Sequence, residues 1–357
     1  MIIQKISLIN VRKIEYFSIQ PSPSTTIIIG KNGTGKTTIL EAIFFLLTTK
    51  SFRKKYNKSI IKNNKNTLQI KGKIETKEKR TLIITSAYNG KKKTIKTNNQ
   101  PIKKTSELLE HTNIVSVSPE EPDVVEIYKQ EKIKYFDKII FKINPHFIKL
   151  IKKYNKLLKI RNALLETNQP TTPWDAQIAE AGIGVWNERK KFFKNFTNQQ
   201  KKTEKNITKT NKYTTKYTQP KTDKIKDYIL ELKKTKNNHK TTFGPHQDNT
   251  LFLLKDQPLQ ERGSQGEKKL FKYILKLTEA EILEKEKQTK PILLLDDFFA
   301  KLDDENIMKI FTFFHRKFQT IITTTTIKET TVEKEIKNAK KPTIKTIKID
   351  DKTFSKH

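Results

Sequence analysis

Cysteine is absent from this 357-residue chain, which excludes disulfides and cysteine-ligated metal sites. No apolar run approaches the roughly eighteen or more residues that a membrane-spanning helix needs. The opening residues, Met1 to Ile6, lack the basic stretch, long apolar core and cleavage site of a secretory leader. The expected compartment is the reducing cytoplasm, with no membrane partner. Glycine is scarce, ten in all, so a cluster of glycines signals a backbone requirement. Acids are outnumbered, 38 against 73 Lys and Arg, which leaves a formal charge of +35. Such a surplus points to a polyanionic partner, because Lys and Arg gain free energy by displacing counterions from phosphates. Part of it accompanies an excess of Asn, Ile and Thr, the pattern that A/T-biased coding produces. Apolar residues are 34% of the chain, low but sufficient for a core when placed periodically. The length accommodates two or three units, or one large domain with an insertion.

Three of the ten glycines fall within Gly30-Lys31-Asn32-Gly33-Thr34-Gly35-Lys36-Thr37. This octet matches the phosphate-binding pattern G-x-x-x-x-G-K-[ST]. An apolar run, Ile27 to Ile29, precedes it, and a helix-like run, Thr38 to Leu47, follows. Strand, glycine loop and helix in that order are the context the motif requires. Glycines let successive backbone N–H groups turn inward around phosphate oxygens. The positive end of the helix points at the same anions. Lys36 reaches the terminal phosphates and the Thr37 hydroxyl holds Mg²⁺. The competing reading is a chance glycine turn.

The first hundred residues otherwise read as short strands. Leu68, Ile70, Gly72 and Ile74 alternate with polar neighbours, Thr81 to Thr85 forms a second strand, and Asn89-Gly90 marks a hairpin. From about Pro122 the spacing becomes helical, in runs around Val124 to Ile140, Phe147 to Ile160 and Ile178 to Trp186. Gln169 to Pro173 separates the last two. Asn198 to Tyr217 reads as a solvated helix face or a mobile segment. The β pattern returns after about Leu230.

Two further motifs lie near the end. Pro291 to Leu295 is a continuous apolar run that ends in Asp296-Asp297, as a buried parallel strand with carboxylates at its tip would. Asp296 is placed to bind Mg²⁺ opposite Thr37, and Asp297 to orient or deprotonate a water. A strand that merely stops at an acidic turn is the alternative. Upstream, Gly263-Ser264-Gln265-Gly266-Glu267 opens a helix, another N-terminus suited to an anion, where Ser264 is able to meet a γ-phosphate. A capping serine there is equally common.

Together these motifs resemble the ABC-type ATPases and, within them, the RecF-type DNA-repair family. The opening Leu8 to Glu15, the octet, Ser51-Phe52-Arg53, Ser118-Pro119-Glu120, Gly244-Pro245-His246-Gln247-Asp248, the run Leu294 to Asp304 and the strand Gln319 to Thr324 carry the resemblance across nearly the whole chain. The family's arm usually has an arginine pair and a Gly-Pro just before Phe-x-Asp. Here Tyr128 to Asp137 has lysines instead. Glu267 stands where ABC signatures often carry Gln, and Thr323-Thr324 where transporters usually carry histidine.

The resemblance implies an α/β fold: a P-loop NTPase head of ABC/SMC type assembled from both chain ends, with a β-rich lobe and a helical arm insertion. The division expected is 1–120 for the first part of the head, 121–235 for the arm and 236–357 for the rest. It implies an ATP site at Gly30, Lys31, Asn32, Gly33, Thr34, Gly35, Lys36, Thr37 and Thr38, with Arg12 contacting the nucleotide; a surface arginine near a strand end is the alternative. Lys36 and Asp297 would act in hydrolysis, and Thr37 and Asp296 on the metal. Two copies would pair head to tail, each offering Ser264 to the ATP held by the other. The implied activity is a weak, DNA-stimulated ATPase that closes on gapped or junction DNA, single- or double-stranded, with a RecR-type partner. His246 either senses nucleotide or caps a turn. The other readings are a DNA-binding scaffold that does not hydrolyse ATP, and a transporter ATPase subunit.

Overall fold

The computed structural model describes residues 1–53, 60–102, 107–108, 112–220, 222–234, 239–300, 302–325 and 344–354. Lys301, in the run after the double aspartate, lies outside them. The chain forms two compact units. One comprises Met1–Asp123, Asn206–Lys209 and Gln265–His357; the other comprises Val124–Lys205 and Thr210–Ser264.

In the first unit, α1 (Lys36–Thr48) lies between two sheets. The antiparallel sheet has the order β2-β1-β4-β5-β6-β7, from β1 (Ile2–Val11), β2 (Ile14–Ile19), β4 (Leu68–Glu75), β5 (Thr81–Tyr88), β6 (Lys93–Thr97) and β7 (Gln100–Pro101). The other has the order β14-β3-β13-β12-β8, from β3 (Thr25–Ile29), β8 (Ile114–Val117), β12 (Ile292–Leu295), β13 (Thr320–Thr324) and β14 (Ile344–Lys348). Every pairing in it is parallel. A helix covered on both sides should be apolar nearly all round, and eleven of the thirteen α1 residues are buried. One apolar cluster joins Ile6, Leu8, Ile70 and Ile84 through Ile39, Ile43 and Leu46 to Ile28, Leu294 and Ile321. Gly72 permits the closeness of β4 to the helix, since a Cβ there would sit 2.6 Å from Leu46 Cδ2.

The second unit holds α2 (Lys129–Ile143), α3 (His146–Glu166), α4 (Thr172–Thr208), whose last residues count with the first unit, α5 (Ile225–Lys234) and α6 (Leu259–Arg262). Its small sheet runs β11-β10-β9, from β9 (Tyr213–Thr218), β10 (Asn249–Leu254) and β11 (Gln257–Pro258). Three features differ from the sequence reading. Helix begins at Lys129 rather than Val124, because Val124 to Ile127 form turns that bury Val124 and Val125. The polar stretch 198–217 is helix to Thr208 and then strand. β9 pairs with β10 from Tyr213–Leu254 to Thr218–Asn249. That pairing keeps residues up to Ser264 with the helical unit, so the chain returns to the first unit at Gln265 rather than 236.

Two buried arginines tie the second unit together. Arg189 donates to both Asp137 oxygens at 2.9 and 2.8 Å, to Asp248 at 2.5 Å and to the Pro245 carbonyl at 2.7 Å. Trp186 and Tyr217 also donate to Asp248. Arg161 donates to Asp175, Thr241 and the Leu232 carbonyl. Buried charges persist only when paired and hydrogen-bonded in this way. The Gly244-to-Asp248 run is thus a packing knot. His246 Nε2 lies 2.8 Å from the Thr241 carbonyl, which can only accept, so Nε2 carries the proton. Nδ1 then accepts from the Tyr154 hydroxyl at 2.6 Å. Burial pushes the Tyr154 phenol up, which keeps it a donor.

Burial also holds the His246 imidazole below its ordinary 6.5, with Thr241 and Asp248 opposing and Arg189 assisting. The unfolded chain therefore takes up a proton that the folded unit resists, and stability falls as pH drops through 6.5 toward the folded value. The slope from this group reaches at most about 1.4 kcal/mol per pH unit. Urea midpoints for the wild type should fall more steeply from about pH 7 to about pH 5.5 than those of His246→Gln; equal slopes would contradict this role.

Candidate nucleotide site

Because the five strands run parallel, their carboxyl ends share one edge of the sheet, the usual place for a ligand in such folds. Gly30 follows β3, Ser118 follows β8, Asp296 follows β12, and Thr323 and Thr324 close β13. The register sets Leu295 beside Val117 on one side and Ile322 on the other. Asp296 therefore emerges between Ser118 and Thr323. Its backbone N–H donates to the Val117 carbonyl at 2.8 Å.

The Asp296 carboxylate accepts from three hydroxyls. Thr37 Oγ1 and Thr323 Oγ1 donate to Oδ1 at 2.9 and 2.6 Å, and Ser118 Oγ donates to Oδ2 at 3.0 Å. The next residue, Asp297, has φ 52°, left-handed and uncommon for a non-glycine. Its N–H donates to Thr323 Oγ1 at 3.1 Å, so one threonine serves both acids.

The loop itself turns through left-handed Gly33 (φ 81°) and Gly35 (φ 99°). Gly35 has a second constraint, since a Cβ there would stand 2.9 Å from Phe354 Cε2. Lys36 folds back and donates to the Gly30 and Lys31 carbonyls at 2.7 and 2.8 Å. Burial pulls its ammonium pKa down, while Asp297 and Asp296 push it up. Lys13 Nζ donates to the Gly33 carbonyl at 2.8 Å.

A cavity of about 810 Å³ opens over this loop. Asn32, Gly33, Gly35, Lys36, Thr37, Thr38, Asp296 and Asp297 line it, together with Arg12, Lys13, Arg53, the segment Ile61 to Asn63, Pro119 and Glu120. Most of the residues expected at a nucleotide thus stand together. Gly30, Lys31 and Thr34 shape the loop from behind, through the Lys36 bonds and a Thr34 hydroxyl that donates to the Lys31 carbonyl. Ser264 is the exposed residue just before α7 (Gln265–Lys287) and the last of the second unit.

Thr37 and Asp296 offer oxygen donors already within 2.9 Å of each other. That suits Mg²⁺, which takes one or two protein oxygens and completes its shell with phosphates and water. Among the described residues, no group of three or more His, Asp or Glu is arranged to hold a metal by itself.

Some residues were not legible as parts of the site. Glu41 on α1 is fully buried and accepts from Arg12 Nε and an Arg12 terminal nitrogen at 2.7 and 2.9 Å, and from Ser51 Oγ at 2.5 Å. The available clue was one acid inside an apolar helix. Thr323 was noted only as standing where transporters usually carry histidine, and the register of β13 is what brings it to the acids. Lys132, in the segment where the arm motif has lost its arginines, is buried. It lies 5.2 Å from the Phe252 ring centroid and 3.4 Å from Gln260 Oε1, and burial lowers its pKa. Lys129 and Lys134 of the same segment are exposed.

The family model described as the RecF/RecN/SMC N terminal domain matches residues 2–348. The DNA replication and repair protein RecF of Alkaliphilus oremlandii (strain OhILAs) is 31% identical over 344 residues, which covers 91% of this chain and 93% of that protein. A solved structure described as the recombination mediator protein RecF-ATPrS in RecFOR pathway is similar with a TM-score of 0.79 at 26% identity, over 98% of this chain and 96% of that one. Another, described as RecF-ATP in the same pathway, has a TM-score of 0.78 at 26% identity, over 92% and 93%.

Gly35→Ala should destabilise the first unit, since a side chain meets both the positive φ and Phe354. The expected loss is about 1–3 kcal/mol. Thermal unfolding checks it; an unchanged melting temperature would mean that the loop tolerates a Cβ there.

Proposed function

The chain belongs to the RecF family of DNA replication and repair proteins, and on that footing we propose that it is an ATP-dependent clamp on DNA. Two copies close around bound ATP and part after slow hydrolysis. The observation that carries this reading is Asp296, held at the mouth of the phosphate loop by Thr37, Ser118 and Thr323.

The backbone N–H groups of the loop cradle phosphates. Lys36 leaves the Gly30 and Lys31 carbonyls for phosphate oxygens, where a charged acceptor makes the stronger bond. Thr37 and Asp296 would hold Mg²⁺, which supplies charge neutralisation to the phosphates. Asp297, fixed by Thr323, orients an attacking water or takes its proton. Ser264, exposed ahead of α7, meets the γ-phosphate held by a second copy. ATP shared in this way stabilises the dimer by mass action, and its hydrolysis withdraws the contact.

DNA is the polyanion that suits the +35 charge. On α3, Lys149, Lys152, Lys156 and Lys159 are exposed at spacings that place them on one helix face, suited to a phosphate backbone. Gapped or junction DNA is the proposed target, and a RecR-type protein the proposed partner.

Lys36→Ala should abolish ATP-driven dimerisation and DNA retention; light scattering that still reports an ATP-dependent dimer would refute the lysine's role. Asp297→Asn should bind ATP and stay closed, with hydrolysis slowed about a hundredfold or more. Wild-type turnover by Asp297→Asn in a single-turnover assay would place the base elsewhere.

A further inference from the structure

We infer that Glu41 is a positioning residue for the nucleotide, acting through Arg12 and Arg53. The inference rests on the ATP reading of the cavity. Arg12 and Arg53 line the cavity and Glu41 does not. Glu41 sits one turn beyond Thr37 on α1, so phosphate loop and carboxylate share a rigid helix. A carboxylate with no exposed surface, set between two apolar sheets, needs strong partners.

Arg12 grips both Glu41 oxygens, with two of the five N–H donors of a guanidinium, which leaves three for another acceptor. The Arg12 backbone is left-handed at φ 50° and is pinned by its N–H to the Ile60 carbonyl at 2.8 Å. An uncommon backbone state held this firmly aims the side chain rather than leaving it to solvent. Ser51 Oγ binds the same carboxylate and also accepts the Arg53 N–H at 2.9 Å, which fixes the turn that delivers Arg53. Arg53 Nε stands 3.5 Å from Glu41 and 2.8 Å from Glu120. Both contacts are ion pairs, and they hold the Arg53 guanidinium in the cavity wall.

Glu41 thus holds two guanidinium groups in the wall of the cavity that the phosphate loop also lines. A merely structural Glu41 would neutralise the arginines and affect only stability. ATP affinity of the full chain, read by calorimetry beside melting temperature, separates the two. Glu41→Gln should weaken ATP binding about tenfold, yet by less than about twofold in an Arg12→Ala/Arg53→Ala background, because coupled residues do not act additively. Unchanged affinity in the wild-type background, or the full loss in the arginine-free one, would overturn the inference. Should Glu41→Gln not fold, Ser51→Ala provides the same comparison, with a loss expected only while the arginines are present. Lys36→Ala is the control: if it binds ATP as the wild type does, the ATP reading has failed, not the role of Glu41.

Discussion

Three hydroxyls from three distant stretches of chain converge on Asp296, and the parallel register of one sheet brings them there. Thr37 lies 259 residues upstream, Ser118 178 upstream and Thr323 27 downstream. A slip of one residue between β12 and its neighbours would turn Asp296 to the opposite face of the sheet. The carboxylate is buried, and an acid there is tolerable only with such donors. On the proposed reading, Mg²⁺ would sit between the Thr37 hydroxyl and this carboxylate, taking lone pairs that the hydroxyls now occupy. The polar groups of the site rest on one another. Lys36 follows the same principle, since its ammonium rests on carbonyls of its own loop.

The second unit uses charge differently. Arg189 makes four bonds and Arg161 three, to carboxylates, carbonyls and a threonine hydroxyl, and both are buried. Lys132 covers a phenylalanine ring rather than facing water. In the first unit Lys272 donates to the Ser118 carbonyl and Lys276 to Glu121, so these cations too are committed to the fold. The net charge therefore overstates what is available to a polyanion. Lys149, Lys152, Lys156 and Lys159 on α3 are among the lysines that stay exposed.

Local order in the sequence made the phosphate loop and the acidic strand legible, because each motif is continuous and carries its own flanks. The split head followed from motifs at both chain ends. What escaped reading depends on contacts between remote residues. Glu41 looked like one polar residue on a helix until Arg12, Ser51 and Arg53 were seen to meet it. The Gly-Pro-His run read as either a sensor or a turn cap, and its part in a packing knot shows only with Arg189 and Tyr154 in place. Strand β9 was hidden in a Lys- and Thr-rich stretch, since its identity comes from pairing with β10. The same pairing moved the return to the first unit to Gln265.

A structure of the chain with Mg²⁺ and a non-hydrolysable ATP analogue tests the phosphate site most directly. The phosphates should lie within the Gly30-to-Thr37 loop, with Lys36 Nζ drawn off the Gly30 and Lys31 carbonyls and the metal at Thr37 and Asp296. Nucleotide bound elsewhere, with Lys36 still resting on those carbonyls, would contradict it.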